Sequence, residues 1–357
     1  MSDRRTAPLP PGATIGILGG GQLGRMLALA AAPLGLKVHV FEPGADCPAA
    51  QVADACTTAP YEDDAALRAF AAACDVVTYE FENVPTAALD LIESIVSIRP
   101  NRRALAVSQD RITEKTFLQE IGLRVAPYAA VEDAADLARA VADIGVPSIL
   151  KTRRFGYDGK GQARITDAAG LPEVVAPSVL EGFVDFSAEI SVIGARALDG
   201  ATICFDPGLN VHRAGILHTT TVPAPLPRAL QTDAVLIAGR ILNALDYVGV
   251  MGVELFVTPD GLIVNEIAPR VHNSGHWTQD ACLTDQFAQH IRAVAGWPLG
   301  DGQRHSDAVM LNLIGDDVEG WAKHAADPQS ALHLYGNAQA RAGRKMGHVN
   351  RITPKRG

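Results

Sequence analysis

GVELFVTPDGLIVNEIAPRVHNSGHWT, residues 252–278, carries both the fold and the chemistry. Two β-like runs, Gly252 to Val257 and Leu262 to Ile267, flank Thr258-Pro259-Asp260-Gly261. Pro and Asp suit a type I turn and Gly the left-handed position after it, so the segment reads as a β-hairpin with a three-residue loop. That loop pairs Thr258 with Leu262, and counting outward brings Glu254 opposite Glu266 on one face of the sheet. Cβ atoms in such a pair lie roughly 5 Å apart, and two carboxylates there repel unless a cation sits between them. Mg²⁺ suits the position, because it binds through one or two carboxylates plus substrate phosphates. A two-residue loop would shift the register and separate the pair, and a solvent-facing pair would need no ion. Arg270, His272, Asn273, Ser274 and His276 follow at once, a density of polar groups suited to an anion beside a transferred phosphoryl group. Either histidine alone would more often be structural.

Working back toward the N-terminus, a second loop carries glycines and basic residues between two strands. Ser148 to Thr152 reads as a strand bearing Lys151, and Arg153-Arg154-Phe155-Gly156-Tyr157-Asp158-Gly159-Lys160-Gly161 leads into a run ending at Ile165. Such a loop can fold over a polyphosphate as a flap, or be a solvated hairpin tip. It is not a Walker A loop, since neither that spacing nor the following helix is present. Near the start, Gly19-Gly20-Gly21-Gln22-Leu23-Gly24 follows a strand and opens a helix, which satisfies G-x-G-x-x-G, and Glu42 closes the next strand. Free N–H groups and a helix dipole at that turn favour a phosphate. The ligand could be NAD or FAD, or a different phosphate, or the turn could simply be tight.

Around these loops, Thr14 to about Pro100 alternates strand-like runs (Ile15 to Leu18, Val38 to Phe41, Val76 to Tyr79) with helical stretches (Gln22 to Leu34, Asp63 to Cys74), the pattern of an open parallel α/β sheet. Helices are predicted over Asp110 to Ile121, with Gly122 just past its end, and Glu132 to Ile144. Beyond Ile149, Gly-rich turns separate β-like runs, an α+β pattern of antiparallel hairpins with helices alongside. The 357 residues favour two or three domains.

Composition bounds the partners. There are 31 Lys plus Arg against 40 Asp plus Glu, a formal charge of -9 without a like-charge block, so no nucleic-acid surface is expected. The longest strongly apolar stretch, Met26 to Leu36, is 11 residues and contains Pro33 and Gly35, short of the ~20 that span a bilayer, so no membrane partner is expected either. A Pro-rich segment, Pro8 to Pro11, stands where a secretory signal would need its apolar core, and the N-terminus is expected to be a short flexible arm of a cytoplasmic protein. Five widely spaced cysteines, none in C-x-x-C, are expected to be buried thiols.

The series GGGQLGRM, YEFENV, DRITEK, KTRRFGYDGKGQ, YVGVMGVE, NEIAPRVHNSGHWT and GRKMGH, in this order over nearly the whole chain, closely resembles the N5-carboxyaminoimidazole ribonucleotide synthetases, ATP-grasp enzymes of purine biosynthesis. The resemblance implies an ATP-grasp fold: a Rossmann-like substrate domain over 1–106, an ATP-grasp domain over 107–299 with its lid at about 124–182, and a small C-terminal domain over 300–357 that closes the substrate site. It implies carboxylation of 5-aminoimidazole ribonucleotide by ATP and bicarbonate through carboxyphosphate, with Mg²⁺, in a homodimer. It assigns the glycine cluster to the ribonucleotide, with Gly21, Gln22, Leu23 and Glu80 at the substrate. Arg111, Lys151, Gly156, Tyr157, Gly159, Lys160, Gly161, Gln162, Glu181, Glu189, His212 and Asn265 fall where the family contacts ATP. Glu181 is placed at the adenine-linking strand and Glu189 at the ribose. Glu254 and Glu266 correspond to the Mg²⁺ ligands, and Arg270, His272 and Asn273 to the bicarbonate or carboxyphosphate pocket. Tyr157, Asp158 and Lys160 reach the substrate, Asp158 being placed to orient or deprotonate its amine, and Arg344 matches a substrate-phosphate arginine. The chain departs from the family pattern at Asn337, where a lysine is usual, and at Ala342, where a proline is, so the charge at that end depends on Lys345 or Arg341. The rivals are a formate-using glycinamide ribonucleotide transformylase of the same fold, an NAD-dependent oxidoreductase built on the glycine cluster, and a nucleotide sensor without turnover.

Overall fold

The structure is a computed structural model and describes residues 7–156 and 161–356. Its first layer is a parallel sheet of β1 (Thr14–Leu18), β2 (Lys37–Phe41), β3 (Ala55–Thr57) and β4 (Val76–Tyr79), ordered β3-β2-β1-β4. The runs TIGIL and VVTY are almost wholly buried, as expected of strands covered on both faces. The chain leaves β1 toward β2 on one side, and β4 returns on the other. This reversal opens a crevice at the carboxyl ends of β1 and β4, where open α/β sheets hold ligands. The glycine loop 19–21 and the segment 80–83 meet in that crevice.

The second layer is an antiparallel sheet of β5 (Tyr128–Val131), β6 (Ser148–Thr152), β7 (Gln162–Ile165) and β8 (Ser178–Gly182), ordered β5-β8-β6-β7 and backed by the helix Ala134–Ile144. β6 and β7 flank the flap, and Thr152 N–H donates to the Gly161 carbonyl at 2.8 Å to close its neck. The helix Arg111–Glu120 starts where expected, because the Asp110 side chain accepts from the N–H groups of Ile112 and Thr113, and it ends before Gly122 at φ +73°.

The third layer contains β9 (Ala188–Arg196), β10 (Thr202–Cys204), β11 (Gly208–Arg213), β12 (Ile216–Val222), β13 (Gly249–Thr258), β14 (Gly261–Ala268), β15 (Ser306–Ile314), β16 (Ser330–Leu334) and β17 (Lys345–Pro354). They form one antiparallel sheet in the order β14-β13-β9-β11-β12-β15-β17-β16, with β10 on β9. The last three strands therefore extend the same sheet that carries the Glu254 hairpin. Among the described residues no helix is long and apolar enough to cross a membrane.

Three expectations need correction. The hairpin has a two-residue loop, since Thr258 pairs with Gly261. A β-bulge then restores the lost register: Leu255 pairs with Val264, but Glu254 pairs with Glu266, which leaves Asn265 as the extra residue. The two carboxylates do face each other, for a different reason from the one the turn suggested. The N-terminal segment is not a free arm over its described part: Leu9 N–H donates to the Ala295 carbonyl at 2.8 Å, and Trp297 Nε1 donates to the Leu9 carbonyl at 2.7 Å. The five thiols are free, but only Cys47 and Cys282 are buried; Cys74 and Cys204 are half-buried and Cys56 is exposed.

Candidate active site

A cavity of about 930 Å³ opens where the three sheets meet. Its walls include Gly21, Gln22, Leu23 and Glu80 from the first layer, Lys151, Gly156, Gly161 and Gln162 from the second, and Glu189, His212, Glu254, Asn265 and Glu266 from the third. Arg111, Arg270, His272, Asn273 and Arg344 complete it. Tyr157, Asp158, Gly159 and Lys160 lie outside the described residues. Glu181 is the one described exception to the expected set. Its buried carboxylate lies behind Lys151, accepting from Lys151 Nζ at 3.0 Å and facing Lys115 Nζ at 3.2 Å. Burial alone would raise that carboxyl, but Lys151 and Lys115 outweigh it and hold it below the usual carboxylate range. Glu181 thus fixes the position of Lys151 through its side chain.

At the glycine loop, Glu80 accepts from the N–H groups of Gly21 and Gly24, and Glu42 accepts from Gly20 N–H at 2.7 Å. These are the N–H groups a pyrophosphate would need, so carboxylates of the chain itself occupy the dinucleotide position. Burial pushes the Glu80 carboxyl up to about 7 despite the opposing pull of the two backbone donors. A Cβ at Gly21 would lie 2.7 Å from Glu80 Oε1, so a larger residue there would push the carboxylate off its backbone donors.

The acidic hairpin sits deeper. Because of the bulge, Asn265 and Glu266 both line the cavity although they are consecutive. Burial first and the Glu266 charge second raise the Glu254 carboxyl to about 7. Arg111 reaches Glu266 at 3.2 Å, and His212 Nδ1 lies 3.0 Å from Glu189 Oε2. Two facing carboxylates plus an amide oxygen form a hard-oxygen donor set, which fits Mg²⁺.

Next to it stands the anion pocket. Arg270 is held by Glu82 at two points, Nε to Oε2 at 2.7 Å and an η-nitrogen to Oε1 at 3.2 Å. Burial would lower the guanidinium, yet Glu82 more than offsets this and keeps it charged. His272 is the opposite case: burial, then the Arg270 charge, lowers its imidazole to about 3, so the ring is neutral. Its Nδ1 lies 2.8 Å from Ser274 Oγ, and its Nε2 lies 3.6 Å from Glu254 Oε1. At the far end Arg341, Arg344 and Lys345 all line the cavity, and the unusual Asn337 accepts from Arg344 at 2.6 Å. The residue that lacks the family's charge instead steers a neighbouring one.

Several contributors were not singled out from the sequence. Lys115 lies inside DRITEK, four residues after Arg111, and Glu82 lies inside YEFENV, two residues after Glu80 at the end of β4. Glu114, whose carboxylate accepts from Ile267 N–H at 2.5 Å, also lies inside DRITEK, whereas the stacked rings of Phe186 and Phe256, 4.6 Å apart, carry no local motif.

Comparison with known proteins places the chain in a family. Residues 12–109 match the ribonucleotide synthetase preATP-grasp domain, 116–287 the ATP-grasp domain and 308–357 the phosphoribosylaminoimidazole carboxylase C-terminal domain. The N5-carboxyaminoimidazole ribonucleotide synthase of Brucella melitensis is 54% identical over 355 residues, covering 97% of this chain and 98% of that one. The chain belongs to the N5-carboxyaminoimidazole ribonucleotide synthase family. The Bacillus subtilis synthase is 42% identical over 95% of this chain and 91% of its own. Among solved structures, the ADP complex of an N5-carboxyaminoimidazole ribonucleotide synthetase superposes with a TM-score of 0.93 at 42% identity, covering 97% of this chain and 94% of that one. The Aspergillus clavatus synthase in complex with ADP and 5-aminoimidazole ribonucleotide gives 0.90 at 31% identity, covering 96% and 94%. The fold is that of an ATP-grasp ligase of purine biosynthesis.

Proposed function

We propose that the chain converts 5-aminoimidazole ribonucleotide, ATP and bicarbonate to N5-carboxyaminoimidazole ribonucleotide, ADP and phosphate, as a cytoplasmic homodimer. The observation that carries this is one cavity in which the Glu254–Glu266 pair, the Arg270–Asn273 segment and the glycine-loop crevice open onto each other.

In this reading Lys151, Arg111 and the flap residues Gly156 to Gln162 hold the triphosphate, while Glu189 and His212 face the nucleotide ribose. Glu254, Glu266 and Asn265 would hold Mg²⁺, which when bound supplies positive charge to the phosphate oxygens. Arg270 and Asn273 hold bicarbonate, whose oxygen attacks the γ-phosphorus as ADP leaves. The product is carboxyphosphate, and the guanidinium of Arg270, pinned by Glu82, stabilises its charge without having to reorganise. The amine of the ribonucleotide then attacks the carboxyl carbon, the carbon–oxygen bond to phosphate breaks, and the amine loses a proton. Asp158, with Tyr157 and Lys160, is assigned to that amine from the sequence pattern. His272, neutral on its surroundings, takes no cationic role; its imidazole stands at the boundary between the two pockets, with Nε2 toward Glu254. Gly21, Gln22, Leu23 and Glu80 hold the ribonucleotide, and Arg344, steered by Asn337, its phosphate. The domains run 1–106, 107–299 and 300–357, with the lid at about 124–182.

The test is a coupled assay of ADP release with 5-aminoimidazole ribonucleotide in bicarbonate-depleted buffer. Release that starts on adding bicarbonate supports the reading. Release that needs formate and a glycinamide acceptor instead would assign the chain to the transformylase reaction.

A further inference from the structure

The Asn273 side chain, assigned above to bicarbonate and carboxyphosphate, is held by a residue from the C-terminal part of the chain, and the inference rests on that assignment. Asn273 Nδ2 donates to Asn312 Oδ1 at 2.9 Å, and Asn312 Nδ2 donates back to Asn273 Oδ1 at 2.7 Å. Asn312 lies on β15 and is 1% exposed. Its Nδ2 also donates to the Leu217 carbonyl on β12 at 2.8 Å.

This third bond sets the orientation of the other two. A carbonyl oxygen only accepts, so the Asn312 atom beside Leu217 has to be the nitrogen. The Asn273 atom facing that nitrogen must then be its oxygen, and the one facing Asn312 Oδ1 its nitrogen. Asn312 spends both of its N–H groups, and Asn273 spends its oxygen and one N–H. One amide N–H of Asn273 is left for the cavity that Asn273 lines. Flipping the Asn273 amide would place oxygen against oxygen at Asn312, whose burial denies its amide water as a substitute partner.

We propose that Asn312 is a positioning residue for carboxylation, which locks Asn273 with an N–H donor rather than a carbonyl oxygen toward the bicarbonate and carboxyphosphate oxygens. A carbonyl there would repel the anion; an N–H attracts it. The β12–β15 pairing thereby connects the C-terminal strands to the carboxylation pocket.

The experiment is a double-mutant cycle of Asn273→Ala and Asn312→Ala, read as the bicarbonate KM and the ATP KM, with ADP affinity and thermal unfolding as checks that the variants fold. Asn312→Ala is expected to raise the bicarbonate KM about tenfold and to leave the ATP KM within about twofold. In the Asn273→Ala background it is expected to add nothing, because a residue that acts through Asn273 has nothing left to position. Asn312→Asp, similar in shape but without a donor, should be at least as impaired. If Asn312→Ala fails to fold, Asn312→Ser takes its place in the cycle, since a single hydroxyl cannot pair with the amide at both ends. Effects that add in the double variant, an equal rise in the ATP KM, or an unchanged bicarbonate KM would overturn the proposal. A bicarbonate KM unaffected by Asn273→Ala itself would instead overturn the assignment of Asn273 on which it rests.

Discussion

Glu266 and Glu254 are two like charges that the fold forces together, and they differ in surroundings: Glu254 is raised to about 7 by burial and by its neighbour, while Glu266 leans on Arg111. A pair of this kind weakens the empty protein and serves the loaded one. Glu266→Gln is therefore expected to lower turnover on the order of a hundredfold at saturating Mg²⁺ while leaving the midpoint of thermal unfolding without ligand unchanged or higher. Steady-state ADP release and a melting curve measure the two effects separately. Glu80 supplies a pH dependence whose sign can be worked out. Its folded pKa is about 7 against an ordinary 4.5, so the folded state binds a proton more tightly than the unfolded chain does. The contribution is fully present below the unfolded pKa and is lost as pH rises toward and through 7, by up to roughly 3 kcal/mol. Chemical denaturation from pH 5 to 8 should show wild-type stability falling more steeply than that of Glu80→Gln; parallel curves would mean that the two glycine N–H groups fully compensate the burial.

Among the elements, the β13–β14 hairpin controls the site. Side chains two apart on a strand share a face, so Gly252 lies on the same side as Glu254, and a Cβ there would lie 2.6 Å from the Cβ of His272. The loop that carries Arg270, His272 and Asn273 packs on the hairpin only because that position is glycine. Gly252→Ala should cost about 1–3 kcal/mol and lower kcat/KM for bicarbonate more than for ATP, as calorimetry and steady-state kinetics would show. A variant like wild type in both would mean that the loop has room to shift. The hairpin also shows what sequence could and could not give. Its two strands were legible from alternation and turn residues, but the facing of Glu254 and Glu266 was reached through a three-residue loop that the structure replaces with a two-residue loop and a bulge. The turn length was not legible, because Pro-Asp-Gly serves loops of two and three residues alike. The bulge did leave a trace: Asn265 and Glu266 stand together between the core-facing Val264 and Ile267, where strict alternation allows one residue. The glycine cluster was legible as a strand-to-helix turn, but not as one whose N–H groups are taken by Glu80 and Glu42, since those carboxylates arrive from other strands.

Over the whole molecule, the parallel layer and the hairpin layer followed from apolar periodicity, and the motif order led to the family. The continuity of the C-terminal strands with the central sheet did not, because pairing between β12 and β15 joins residues about ninety positions apart and has no local signal. The same is true of Glu82 under Arg270 and of Asn312 under Asn273: each touches a residue that was read from sequence, across a distance in the chain that no motif spans. All three layers line a single cavity, and the proposed reaction joins its reactants there through carboxyphosphate. The most direct measurement is turnover of 5-aminoimidazole ribonucleotide with ¹⁸O-labelled bicarbonate, with the released phosphate analysed by mass. One labelled oxygen in the phosphate for each ribonucleotide carboxylated is the predicted result. Phosphate free of label, formed while the ribonucleotide is carboxylated, would contradict the account.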